Sequence, residues 1–144
     1  MYKHILIATD GSELAAKAVD TGLNLARLLK AKVTAVKASE PWTAMATGEA
    51  ALAFPVEEYE KGAAEDAARI LGAVSDAAKK QGVACETVHI TDFPAEGIIA
   101  TAKSKGCDLI VMSSHGRRGL ARVLLGSQAT RVLTLSTVPV LICR

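Results

Sequence analysis

Short, unbroken apolar runs alternate along this chain with longer segments of helical periodicity, and that alternation narrows the possible folds more than any other feature. The first run, His4 to Thr9 (HILIAT), stops at the turn residues Asp10-Gly11-Ser12. Runs this short, without polar alternation, suit strands buried on both faces. Lys32 to Ser39 (KVTAVKAS) is a second, Cys85 to Ile90 marks a third, Asp108 to Ser113 (DLIVMS) is a fourth, and Val138 to Cys143 (VPVLIC) closes the chain. Between the first two, Ser12 is placed to cap a helix, Glu13 suits its positive end, and Ala15, Val19, Gly22, Ala26 and Leu29 share one face.

Tyr59 to Gln81 carries an apolar helical stripe of Ala63, Ala67, Ile70, Leu71, Val74, Ala77 and Ala78, with Gly82 as its stop. Pro94 to Lys105 is a further helix, begun by Pro94 in its first turn and ended by Gly106. A glycine-punctuated loop from Ser114 to Gly126 leads into the last helix, which ends near Ser136. Glu40 to Glu58 holds two prolines, a glycine and no clean period, which predicts a long loop with a fragment of helix.

The order β-α-β-α-β-α-β-α-β predicts an α/β fold with an open, mostly parallel sheet, right-handed crossovers and helices on both faces. At 144 residues the chain suits one domain, spanning 1–144. Only five residues are aromatic while 26 are alanine, so the core must be aliphatic, packed between closely spaced elements. Sheets of this kind bind ligands beyond the carboxyl ends of their strands, where strand order reverses. Here those ends carry Thr9-Asp10-Gly11-Ser12 and Ser113-Ser114-His115-Gly116.

Seventeen basic and fifteen acidic side chains leave a net charge of +2, too mild to imply a nucleic-acid partner. The charge is uneven, however. From Leu109 onward there are five arginines (Arg117, Arg118, Arg122, Arg131 and Arg144) and no acid, which points to an anionic ligand near the C-terminal third. No apolar stretch reaches the roughly 18 to 20 residues that cross a bilayer. The start MYKHILIATDG lacks the cleavage region of a signal peptide, so a soluble cytoplasmic protein is expected. Cys85, Cys107 and Cys143 form no C-x-x-C and lie in or beside apolar runs, as reduced core residues would.

The sharpest local pattern is Ser113-Ser114-His115-Gly116, nine residues, then Gly126-Ser127 opening a helix. Gly116 and Gly119 allow backbone conformations closed to other residues and bring N–H groups near a phosphate. Ser127 adds a hydroxyl at a helix N-terminus, and Arg117, Arg118 and Arg122 add positive charge. Asp10 is either a turn residue or a ligand that accepts from a ribose hydroxyl or holds Mg²⁺ through water. A P-loop and a dinucleotide-binding G-x-G-x-x-G are both absent, and a phosphorylation receiver would need more acids than Asp10 supplies. His4, His89 and His115 have no metal-binding spacing, and His115 fits a structural or backbone-positioning role. No nucleophile and base pair stands out, so no catalysis is expected.

The segments HILIATDGSELAAKAV and DLIVMSSHGRRGLARVLLGSQATRVLTLSTVPVLICR resemble the single-domain universal stress protein family over nearly the whole chain. ATP-binding members carry G-x-x-G, nine residues, then G-[ST]. Gly116, the nine residues after it, Gly126 and Ser127 match, while Ser113 replaces the first glycine, where a side chain would either crowd the nucleotide or donate a hydrogen bond. The resemblance implies the adenine nucleotide alpha hydrolase-like fold, strand order 3-2-1-4-5, and ATP or AMP as ligand, with Mg²⁺ near Asp10. By position, Ala8 and Asp10 border the nucleotide, Ala38 offers backbone to adenine, and Met112 and Ser113 line the ribose and adenine side. Gly116, Gly126, Ser127 and Gln128 would hold phosphates, mainly through backbone N–H groups. A homodimer through strand five, Val138 to Ile142, is also implied. The function that follows is a nucleotide-binding regulatory or stress-response module with an unknown protein partner. The alternatives are a protein-interaction member without nucleotide binding and a slow ATP hydrolase.

Overall fold

The turn residues set most of the helix ends. In the computed structural model, which describes residues 1–53, 55–116 and 124–144, the elements run β1 (His4–Ala8), α1 (Glu13–Leu29), β2 (Lys32–Ser39), α2 (Trp42–Met45), α3 (Glu49–Ala53), α4 (Val56–Lys80), β3 (Cys85–Thr91), α5 (Pro94–Lys105), β4 (Leu109–Ser113), α6 (Ser127–Leu135) and β5 (Val140–Cys143). Ser12 is extended and its hydroxyl accepts from the Ala15 N–H at 3.1 Å, capping α1. Gly106 closes α5 at φ 69°, a left-handed conformation that glycine adopts without strain. The end of α1 is made differently, by Lys30 at φ 54°, whose N–H returns to the Ala26 and Arg27 carbonyls.

Segment 40–58 is more helical than its prolines and glycine suggest. It contains α2 and α3, and α4 begins at Val56, earlier than the expected Tyr59. Pro55, at φ −58°, already holds the backbone angle a helix start needs, and Glu57 and Glu58 sit at the positive end. The Tyr59 hydroxyl then donates to the Glu40 carbonyl at 2.6 Å, fastening α4 to the end of β2. Three strands are shorter than their apolar runs. Asp108 precedes β4 because its carboxylate accepts from the N–H groups of Lys3 (2.8 Å) and His4 (3.1 Å), and Pro139, which has no N–H, precedes β5.

All five strands are parallel, in the order β3-β2-β1-β4-β5. This is the fold and the strand order that the resemblance implied. Ile7 lies between Ala35 on β2 and Val111 on β4, so β1 is the central strand. Its pleat divides the core: Ile5 and Ile7 pack with Leu23, Val74 and Ala78 of α1 and α4, while Leu6 and Ala8 pack with Ile98, Ala129 and Val132 of α5 and α6. The alanine-rich composition shows its use here. Ala18 and Ala26 of α1 are fully buried, and a Cβ on Gly22 would stand 2.6 Å from Ile7 Cδ1, so α1 rides directly on the central strand. None of the described helices is long and apolar enough to cross a membrane.

A polar group is buried at the amino end of the sheet. His4 Nε2 is 2.7 Å from Thr34 Oγ1, and burial, helped by the nearby Lys32 charge, holds the imidazole below its usual pKa of 6.5, although Asp108 and Glu86 oppose this. Cys107 beside it is also buried, which pushes its thiol pKa up, and burial does the same to Cys85. All three cysteines are free thiols, and those of Cys107 and Cys143 are buried. The fold therefore resists protonation of His4 more than the unfolded chain does, so stability should be full above about pH 6.5 and fall as pH drops below it. Burial and the Lys37 charge add the same tendency at His89. Denaturant midpoints measured from about pH 7.5 to about pH 5.5, above the carboxylate range, should decline, and His4→Gln should flatten the slope.

Candidate functional site

Strand order reverses beside β1, which leads to β2 on one side and borders β4 on the other, and the carboxyl ends of β1 and β4 open a crevice there. Ala8 and Met112 are buried next to it in one apolar cluster. Asp10 leaves the end of β1 in a turn where its Oδ1 accepts from the Ser12 N–H at 2.9 Å, and Gly11 follows at φ 80°. Its Oδ2 stands 2.9 Å from the point a Cβ on Gly116 would occupy. Asp10 thus supports the turn with one oxygen and meets the loop after β4 with the other.

That loop begins with three residues bound to one another. Ser113 ends β4 without a positive φ, and its hydroxyl donates to the His115 carbonyl at 2.8 Å. Ser114 donates its N–H to the Cys143 carbonyl and accepts from the Gly126 N–H, both at 2.7 Å, while its Oγ lies 3.0 Å from His115 Nδ1. His115 Nε2 is shielded from solvent and has no partner among the described residues. An unmade buried hydrogen bond of this kind costs about 1–3 kcal/mol.

Backbone freedom, expected of Gly116, is not what requires glycine there. Neither Gly116 nor Gly126 is in a left-handed conformation; Gly126 has φ −67° and ψ 158°. Space is the constraint instead. A Cβ on Gly126 would fall 2.8 Å from the Ser114 carbonyl oxygen and 3.3 Å from His115 Cα. Gly126 also takes the N-cap position of α6, so Ser127 is the first helical residue and its hydroxyl is not the cap.

The first helical bond of α6 runs from the Thr130 N–H to the Gly126 carbonyl, which leaves the N–H groups of Ser127, Gln128 and Ala129 without an acceptor inside the helix. Such an end attracts anions. The Gly126 N–H is already given to Ser114, and the Gln128 side chain accepts from the Ala95 N–H at 3.1 Å, so Gln128 has only its backbone to offer there. Arg131 pairs with Glu96, holding that carboxyl below the usual range. Arg117, Arg118, Gly119 and Arg122 lie outside the described residues.

Ala38 completes the crevice at the end of β2. The Val36 carbonyl accepts from Thr9 on one side and the Ser39 carbonyl from Asp92 on the other, so strand alternation turns the N–H and C=O of Ala38 toward the β1 side, past the end of β1. Lys37 Nζ reaches that carbonyl at 2.9 Å. An open depression of about 440 Å³, lined by Ser12, Glu13, Leu14, Lys17 and Gly116, borders the Asp10–Gly116 contact. Lys37, Lys17 and Ser114 were not among the expected site residues; Ser114 falls within the Ser113–Gly116 pattern, whereas nothing in the local sequence marks the two lysines. Among the described residues no group of three His, Cys, Asp or Glu side chains could hold a metal ion.

Residues 1–144 match the family model described as Universal stress protein family. Universal stress protein YxiE of Bacillus subtilis is 32% identical over 148 residues that cover all of both chains. The solved structure of MJ0577 from Methanocaldococcus jannaschii aligns at a TM-score of 0.86 and 27% identity, covering 99% of this chain and 96% of that one. A universal stress protein solved in complex with cAMP aligns at 0.74 and 26% identity, covering 99% and 97%.

The crowding at position 126 gives a direct test. Gly126→Ala should displace the Ser114 carbonyl, weaken the bond from residue 126 to Ser114, and lower stability by about 1–3 kcal/mol in thermal denaturation. Gly72→Ala, on α4 where a Cβ meets nothing within 4 Å, should be neutral or stabilise by up to about 1 kcal/mol.

Proposed function

Because the chain belongs to the universal stress protein family, we propose that it is an adenine-nucleotide-binding regulatory module that takes ATP or AMP in the crevice between β1, β2 and β4. The observation that carries this reading is the placing of the α6 N-terminus against the loop after β4 by the Gly126 to Ser114 bond, with Gly116 against Asp10. A relative bound to cAMP lends support to an adenine nucleotide as ligand.

In this reading the Ala38 backbone pairs with adenine, and Ala8 and Met112 form an aliphatic floor without aromatic stacking. Asp10 Oδ2 accepts from a ribose hydroxyl or, through water, meets Mg²⁺ carried by the phosphates. The N–H groups of Ser127 and Gln128 take the phosphates, Gly116 keeps the entrance clear, and Arg117 adds charge. Ser113 favours binding over its loss, because its hydroxyl is engaged by the His115 carbonyl. Asp10 is the only acid in either turn, from Ala8 to Ser12 or from Met112 to Gly116, which suits regulation better than hydrolysis.

Calorimetry with ATP and AMP should give micromolar affinity, about −8 kcal/mol, and Asp10→Ala should weaken it about tenfold. Absence of heat, together with no thermal protection at millimolar nucleotide, would overturn the reading.

A homodimer through β5 belongs to the same proposal. β5 is an edge strand, Leu141 on it is 37% exposed, and Leu133 and Leu135 of α6 are exposed as well. Sedimentation should report about twice the monomer mass at micromolar concentration, and Leu141→Asp should halve it. A monomeric parent protein under those conditions would refute the dimer.

A further inference from the structure

We propose that His115 is the side chain of this site that responds to bound nucleotide, and that Ser113, where the ATP-binding motif has glycine, is the positioning residue that holds it ready; this rests on the nucleotide-binding reading above. Two polar groups of His115 are tied down inside the loop. Its carbonyl accepts from the Ser113 hydroxyl at 2.8 Å, and its Nδ1 lies 3.0 Å from Ser114 Oγ. Its Nε2 is shielded and has no partner among the described residues.

The ring is held at a specific place. A Cβ on Gly126 would lie 3.6 Å from His115 Cδ2, the carbon bonded to Nε2, so this edge of the imidazole adjoins the start of α6. There the N–H groups of Ser127, Gln128 and Ala129 also lack helical acceptors. We assign the tautomer in which the Ser114 hydroxyl donates to Nδ1, so that Nε2 carries the proton and becomes a fourth donor beside those three. Four donors and no acceptor suit a phosphate oxygen, reached directly or through one water.

Ser113 makes this arrangement specific to a chain with serine at that position. Its side chain supplies the bond to the His115 carbonyl, and glycine has no atom to replace it. Ser114 cannot swing away to compensate, because its N–H and C=O are both held, by Cys143 and Gly126. The departure from the motif therefore tightens the loop, and removing the hydroxyl should weaken nucleotide binding.

The test is a titration of the full chain with ATP and AMP, followed by ¹⁵N spectra of the histidine rings and by calorimetry. His115 Nε2 should shift in step with saturation, while His4, at the opposite end of the sheet, should not. Ser113→Ala should weaken binding about three- to tenfold and Ser113→Thr, which keeps the hydroxyl, should recover most of it. Melting of the nucleotide-free variants checks that each is folded. A His115 signal that stays still at saturation, or Ser113→Ala and Ser113→Gly binding as tightly as the parent, would overturn the inference alone. A parent protein that binds neither nucleotide would overturn both it and the functional reading.

Discussion

Ser114 gives its N–H to Cys143 and receives the N–H of Gly126, and these two backbone bonds join β4, β5 and α6 at one buried residue. The site depends on that junction. It sets where the N-terminus of α6 stands relative to the crevice, it requires glycine at 126, and it anchors the short loop in which Ser113 and His115 are bound. Twelve residues lie between Ser114 and α6 along the sequence, yet the bond to Gly126 returns the chain to its point of departure. Closure of a loop this long is a matter of tertiary contact, because no local propensity enforces it.

The helices reach the site by close packing. Gly22 lets α1 approach Ile7, and on the other face a Cβ at Gly97 would lie 3.2 Å from Ile90 Cγ2 and 3.3 Å from Ala38 Cβ, which brings α5 against the end of β2. Gln128 then ties α6 to the N-terminus of α5 through Ala95, and the Arg131–Glu96 pair repeats the connection one turn further along α6. The N-termini of α6 and α5 are therefore mechanically joined. Exposed ion pairs of this type contribute little to stability, so the joint matters for position more than for energy.

Much of the element order was legible because burial on both faces leaves a short apolar run and because Ser12, Pro94 and Gly106 carry their turn chemistry locally. The errors have local causes too. Segment 40–58 was expected to be mostly loop, since its prolines read as breakers, but Pro55 stands just before a helix, where a fixed φ helps. Lys30 ends α1 in a conformation usually left to glycine, which composition cannot signal. At the site, the spacing of Gly116 and Gly126 was visible, whereas its reason was not. Gly116 reads in sequence as a point of conformational freedom and Gly126 as a phosphate-binding backbone, while the atoms opposite them, an Asp10 oxygen and the Ser114 carbonyl, explain both.

By itself the sequence determined an α/β alternation, an aliphatic core, the two strand-end turns bearing Asp10 and the Ser113–Gly116 loop, and the likeness to a known family. Those properties follow from periodicity, volume and short-range turn geometry, which act between neighbours in the chain. Tertiary structure decided the rest: that Ser113 turns its hydroxyl to His115, that Gln128 caps another helix, that the Gly126 N–H is occupied, and that His115 Nε2 has no partner among the described residues. Hydrogen bonds and exclusion between atoms distant in sequence settle such matters, and they act only once the sheet has brought β1, β4 and β5 side by side.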